Sequence, residues 1–304
     1  MVDREEIRTA LTGPVTSVST PFCKDGTIDF TALRAMVDFD IDGGSKTVLL
    51  TYGDSLYSIL TDDEVAEMTR VAAEQAAGRA LVVAADRIWA TPKEVAFAQY
   101  ARGVGADMLM VVCPDWAQSC TLDTLVEHCA AVAVKTPVML VTNWLVSRPL
   151  DFSVKFLEAL RDRVPGVMAV KDDLCGEFAR KMGLTVHDRM AIISGGQKQN
   201  HMNNLPYGCD GYLTTFGRFK PEIARKYWAA IESADCTAAT GIIAEYDMPL
   251  FDLIATFPGG FDAAVHGAME LFGVAPRWRR KPYYSLNDAE MERLAGFFQD
   301  KGLL

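Results

Sequence analysis

Lys171 closes a short apolar run, VMAVK, and is followed by two aspartates, Asp172 and Asp173. A primary amine at the end of a strand buried on both faces is costly unless it is paired or put to use. Desolvation lowers a lysine pKa, and an uncharged amine can attack a carbonyl to form a Schiff base. The plain alternative is a lysine that reaches solvent or pairs with Asp172 or Asp173. Three further stretches carry candidate groups. In TVLLTYGDSLYSILTDDE a strand ends at Thr51-Tyr52-Gly53-Asp54, before a helix that starts near Thr61. Gly53 lets the backbone approach a ligand, and free N–H groups in such a turn hold a carboxylate. The alternative there is an ordinary strand-to-helix loop. VTNWLVSRPLD brings Asn143, Trp144 and Arg148 into a loop after a strand. Arg148 has the fork to clamp a carboxylate with two bonds, although a lone loop arginine is more often a surface residue. VVCPDWAQSC puts Asp115 and Trp116 at another strand end, where a tryptophan lines a pocket or packs in a core or interface.

These groups need strands to place them. Short β-branched runs begin at Pro14, Thr47, Ala80, Met108, Val138, Val167, Ala191 and Gly211, which makes eight. Between them lie amphipathic stretches such as DFTALRAMVDFDIDGG, stopped by a glycine pair, and TPKEVAFAQYARGVGAD, with Thr-Pro at its start. Eight strand–helix units in order predict an α/β fold, a parallel (β/α)8 TIM barrel with helices outside. Near-continuous apolar strands suit a sheet covered on both faces. From about Lys220 the strand signals stop. The expected division is a barrel over residues 1–225 and a C-terminal helical appendage over 226–304, packed on the barrel because no Ser- or Pro-rich linker separates them. In such a barrel the active site lies at the C-terminal ends of the strands, where the candidate groups fall.

Composition narrows the chemistry. The chain has 304 residues and a net charge of −10, which attracts neither nucleic acid nor an anionic membrane. No run approaches the roughly 18 apolar residues of a membrane helix, and the charged N-terminal stretch is not a signal peptide. The seven cysteines are scattered without CxxC, and the four histidines show no ligand spacing. A cytoplasmic protein without metal or cofactor is expected.

Together the pieces resemble the dihydrodipicolinate synthase / N-acetylneuraminate lyase family, in order and over nearly the whole chain. TPFCKDGTID matches the family's opening pattern, and TYGDSLYSILTDDE stands at its GTTGE…L…E. GADMLMVVCPDW stands at GAD…PYY, VMAVKDD at the lysine strand, and ISGGQ and GCDGYLTT at two later segments. GVAPRWRRKPYYSL is similar to the closing element. The resemblance implies a Schiff-base aldolase or lyase acting on pyruvate or another 2-keto acid, with an aldehyde as the other partner. Lys171 would form the imine, the Tyr52 and Gly53 amides would hold the keto-acid carboxylate, and Thr51 would sit beside the imine. Asp54, Asn143, Arg148, Trp116 and Leu213 complete the expected substrate contacts. A homotetramer built as a dimer of dimers is implied as well.

The departures from the family concern protons. Its strand-five tyrosine falls on Val141 or Asn143, depending on the end from which the segment is aligned. Its neighbouring-subunit tyrosine is Trp116, its glutamate is Asp54, and its second threonine is Tyr52. The usual Tyr-Thr-Tyr relay therefore cannot be assembled from matching positions. Tyr52, or water with the substrate's own carboxylate, is the expected substitute. A Schiff-base dehydratase of a sugar acid, or an impaired relative that only binds keto acids, are the alternatives.

Overall fold

The computed structural model describes residues 2–304. Eight parallel strands close a barrel in sequence order: β1 (Gly13–Ser17), β2 (Thr47–Leu49), β3 (Leu81–Ala85), β4 (Met108–Val111), β5 (Val138–Val141), β6 (Val167–Asp172), β7 (Ala191–Ser194) and β8 (Gly211–Leu213). Every residue of β2, β3, β4, β5, β7 and β8 is buried, as a sheet covered on both faces demands. Each strand overlaps one of the eight expected runs.

The helices start where local chemistry starts them. A short helix, α1 (Arg4–Leu11), precedes the barrel and was not anticipated; Asp3 and Glu6 form its capping box. α2 (Phe30–Asp42) is capped by Asp29 and stops at Gly43 and Gly44. α3 (Asp62–Ala76) opens on a Thr61/Glu64 capping box with acids in its first turn, which suits the positive end of the helix dipole. α4 (Thr91–Gly103) carries a proline near its start. α5 (Leu122–Ala133), α6 (Leu150–Arg163), α7 (Gly176–Val186) and α8 (Gln197–Asn204) follow β4 to β7, and α9 (Pro221–Glu232) follows β8. α9 runs across residue 225, the expected end of the barrel.

The tail holds α10 (Cys236–Ile242), a π-helical turn (Ile243–Asp247), α11 (Met248–Ile254), α12 (Gly260–Leu271) and α13 (Asp288–Asp300). Its residues Leu250, Met269, Leu294 and Phe298 belong to the same continuous core as the barrel strands. No helix among the described residues is long and apolar enough to cross a membrane.

One irregularity matters for the site. Between β5 and β6 the register shifts by a residue: Val138 pairs with Val167, but Met139 pairs with Ala169. Side chains alternate along a strand, so a one-residue shift decides which side chain faces the interior. After the shift Lys171 pairs with Val141 and faces a cavity, while its neighbour Asp172 does not.

Candidate active site

A cavity of about 330 Å³ opens at the C-terminal ends of the strands. Lys171 lines it from β6, Val141 and Asn143 from the end of β5, Met110 and Val112 from β4, and Leu213 from β8. Thr51, Tyr52, Gly53 and Asp54 come from the turn after β2, and Phe261 from the first turn of α12. The expected residues Lys171, Thr51, Tyr52, Gly53, Asp54, Asn143 and Leu213 thus share one cavity.

Lys171 is 8% exposed, and its Nζ donates to Asp173 Oδ1 at 2.5 Å. The two aspartates behind the lysine do different things. Asp172 is buried and turned to the backbone, accepting from Leu174 N at 3.1 Å, Cys175 N at 3.2 Å and Thr142 Oγ1 at 3.1 Å. Burial pushes its carboxyl up, and those hydrogen bonds oppose the rise. Asp173 lines the cavity, with its own N–H given to Thr142 Oγ1 at 2.9 Å. A Cβ placed on Gly195 would overlap Asp173 Oδ1, so the glycine makes room for that carboxylate.

The turn after β2 is stitched by its own side chains. Asp54 N donates to Thr51 Oγ1 at 2.9 Å, and Thr51 N donates to Ser55 Oγ at 3.0 Å. The N–H groups of Tyr52 and Gly53 donate to nothing among the described residues, and both residues line the cavity. That pair is suited to an anionic oxygen. The Asp54 carboxylate is held by Arg218, at 2.7 Å, and by Ser17 Oγ, at 2.6 Å. Burial pushes Asp54 up, but the Arg218 guanidinium, the Ser17 hydroxyl and the nearby Lys171 outweigh it and hold the carboxyl below its usual range. Arg218 is itself buried, stands over the Phe261 ring at 5.8 Å, and also donates to Ser17 at 2.5 Å.

Gln197, at the start of α8, lines the cavity with a left-handed backbone (φ 64°) and accepts from Thr215 N and Oγ1 at 2.9 and 3.0 Å. The next residue, Lys198, is fully buried and donates to both oxygens of equally buried Asp247, at 2.7 and 2.9 Å. Its Nζ stands 5.1 Å from the Phe216 ring centre and 5.9 Å from those of Tyr212 and Tyr227. This pair pins the strained start of α8 to the π-helical turn of the tail.

Two expected contacts lie outside the cavity lining. Arg148 turns away to Asp115, with Nη2 at 2.6 Å from Oδ2, and to the Cys120 carbonyl at 2.6 Å. It is a structural tie between the β4 and β5 loops, because Asp115 is fully buried and needs a cation. Trp116 is 88% exposed on a short 3-10 turn whose next two residues, Ala117 and Gln118, have left-handed backbones. Groups that the sequence did not single out are Arg218, Gln197, Phe261 and the cavity-facing role of Asp173.

The closed barrel thus carries a nearly buried lysine at the mouth of its sixth strand, paired with Asp173. The chain belongs to the Dihydrodipicolinate synthetase family, whose sequence profile matches residues 10–300. It is 33% identical over 194 residues to the 4-hydroxy-tetrahydrodipicolinate synthase of Sorangium cellulosum, covering 61% of this chain and 62% of that protein. It is 27% identical over 272 residues to the Probable 5-dehydro-4-deoxyglucarate dehydratase 2 of Streptomyces avermitilis, covering 88% of this chain and 78% of that protein. Its fold is like that of YagE, a prophage protein of the dihydrodipicolinic acid synthase family from E. coli K12 solved in complex with pyruvate. The TM-score is 0.81 at 22% identity, over 96% of this chain and 99% of that one.

Proposed function

We propose that this protein is a cytoplasmic Schiff-base lyase that takes pyruvate or another 2-keto acid on Lys171 and makes or breaks a carbon–carbon bond with an aldehyde. The observation that carries the reading is a nearly buried amine in the same small cavity as two backbone N–H groups without partners. A carboxylate on Tyr52 N and Gly53 N is the anchor from which the adjacent ketone reaches Lys171. Condensation gives a protonated imine, which withdraws electrons from the neighbouring carbon and allows an enamine to attack the aldehyde, or the reverse.

The cavity also bears on the second partner. Among the described residues Lys171 is the only cation that lines it, while Asp54 and Asp173 are acceptors. Arg148 and Arg218 are each already paired with a carboxylate, Asp115 and Asp54. The reading is therefore an aldehyde whose chain carries hydroxyls and no second carboxylate. A dehydratase of a hydroxylated 2-keto acid is the second reading, favoured by the likeness to the dehydratase relative over 88% of this chain. Both readings begin at the same imine. We further take the working form to be a homotetramer, in which the exposed Trp116 is covered by a neighbouring copy.

The test is borohydride reduction in the presence of pyruvate, with peptide mass mapping. An adduct on Lys171 is expected in the wild type and none in Lys171→Ala. No adduct from any small keto acid overturns the reading. Turnover is then followed on two panels, uncharged hydroxyaldehydes with pyruvate and hydroxylated 2-keto acids alone. New carbon–carbon products support the lyase, and loss of water without cleavage supports the dehydratase.

A further inference from the structure

We propose that Asp173 is a catalytic residue of this site, the carboxylate that carries protons for imine formation and for activation of the adjacent carbon. The inference rests on the Schiff-base reading and answers what it leaves open, the group that moves protons where the phenols of the family pattern are missing.

Four ionisable side chains line the cavity: Tyr52, Asp54, Lys171 and Asp173. Asp54 is fixed as an anion by Arg218 and Ser17, and its oxygen is engaged by both, so it is poorly placed to take and release protons. Val141 and Met110 present only apolar surface at the ends of β5 and β4. Trp116 lies outside the lining. Tyr52 contributes a phenol and its ring packs against the core, but its hydroxyl makes no hydrogen bond among the described residues. Among the described residues Asp173 alone accepts a hydrogen bond from the reacting nitrogen, at 2.5 Å.

Its position is prepared from three sides. Thr142 Oγ1 accepts the Asp173 N–H and donates to Asp172, which sends one aspartate to the backbone and the other to the amine. Gly195 leaves open the space that the Asp173 carboxylate fills, with its own N–H tied to the Asp172 carbonyl at 2.7 Å. The β5–β6 register shift turns Lys171 inward, so that the residue two further on meets the same cavity.

The proton balance closes with this one group. Asp173 takes a proton from the Lys171 ammonium, leaving a neutral amine and a carboxylic acid. The amine nitrogen attacks the ketone carbon, and the nitrogen's second proton passes to the former carbonyl oxygen. The acid of Asp173 protonates the resulting hydroxyl, the C–O bond breaks and water leaves. One ammonium and one ketone have become one protonated imine and one water, with Asp173 again an anion beside the positive nitrogen. The same carboxylate then removes a proton from the carbon next to the imine to give the neutral enamine. After the enamine carbon bonds to the aldehyde carbon, the acid returns that proton to the new alkoxide.

The test follows exchange of the pyruvate methyl hydrogens for deuterium in D2O by NMR, beside borohydride trapping. In Asp173→Asn exchange is expected to fall by about 10²–10⁴-fold, the usual worth of a positioned proton carrier. Trapping on Lys171 still reaches completion, more slowly. In Asp173→Ala, added formate is expected to restore part of the exchange, which a merely structural loss does not allow. Gly195→Ala keeps the aspartate but crowds its carboxylate, and is expected to slow exchange with the fold intact by circular dichroism. Exchange in Asp173→Asn within about threefold of wild type, with the adduct formed, overturns the role of Asp173 and leaves the imine reading standing. Loss of exchange in Tyr52→Phe with retention in Asp173→Asn overturns it too. Absence of any adduct in the wild type removes the imine reading itself.

Discussion

Replacing Asp247 by asparagine leaves the Lys198 ammonium in a box of three aromatic rings with no counter-charge. Both side chains are 0% exposed, and Nζ meets both carboxylate oxygens, at 2.7 and 2.9 Å. Breaking a buried pair by removing one partner costs about 3–5 kcal/mol. A second route gives a similar figure. If the stranded lysine sheds its proton at pH 7, the cost is about 1.36 × (10.4 − 7), or roughly 4.6 kcal/mol. At about 2.1 cal/mol/K per residue over 304 residues the melting entropy is about 0.6 kcal/mol/K, so Tm falls by ~5–8 °C. The sign of the pH dependence follows. Burial pushes Lys198 down and Asp247 opposes that push, so losing the carboxylate drives the folded-state pKa lower still. Above that lowered pKa and below the unfolded value of ~10.4, the unfolded chain binds more protons than the folded one, and stability rises with pH by up to ~1.4 kcal/mol per unit. The deficit of Asp247→Asn is therefore largest near pH 7 and shrinks toward pH 9. Thermal melts of both proteins across that window measure it. A loss under about 1 kcal/mol, or a deficit that does not shrink with pH, refutes the reasoning.

Arg148→Ala is expected to leave KM for the keto acid within about twofold while destabilising the fold by ~3–5 kcal/mol, because the buried Asp115 carboxylate loses its cation. A tenfold rise in KM with an unchanged Tm returns Arg148 to the substrate. Glu94→Gln should stabilise the protein more at pH 8 than at pH 6. Burial and the neighbouring Asp86 push Glu94 up, so between its unfolded and raised folded values the folded state binds the extra proton and wild-type stability falls as pH rises. Urea titrations at the two pH values measure the difference, and an equal or opposite shift refutes the assignment.

The barrel was legible because its signals are local and repeated. VMLV and MLMV are apolar at every position, as strands covered on both faces must be, and glycine pairs or capping residues mark where helices begin and stop. The half of the site that follows strands in sequence, Lys171 and the Thr51–Asp54 turn, was legible for the same reason. What was missed depends on direction or distance. Nothing in VTNWLVSRPLD says that Arg148 turns toward Asp115, 33 residues earlier, rather than inward. Phe261 enters the cavity from a helix in the tail, and no local pattern marks it. Arg218 left a faint signal, a charge between two phenylalanines in TTFGRF beyond the last strand. Alternation alone puts Asp172 and Asp173 on different sides, but which of the two meets the amine depends on Thr142, some 30 residues earlier, which no local pattern marks.

Phe261 lies 90 residues downstream of Lys171. Chains emerge N-terminal end first, at about 5–20 residues per second, so roughly 5–18 s separate synthesis of the Lys171 amine from synthesis of the ring that walls its cavity. During translation the lysine exists without its finished chamber, and a nascent chain halted before the tail would bear the amine but not the ring that encloses it.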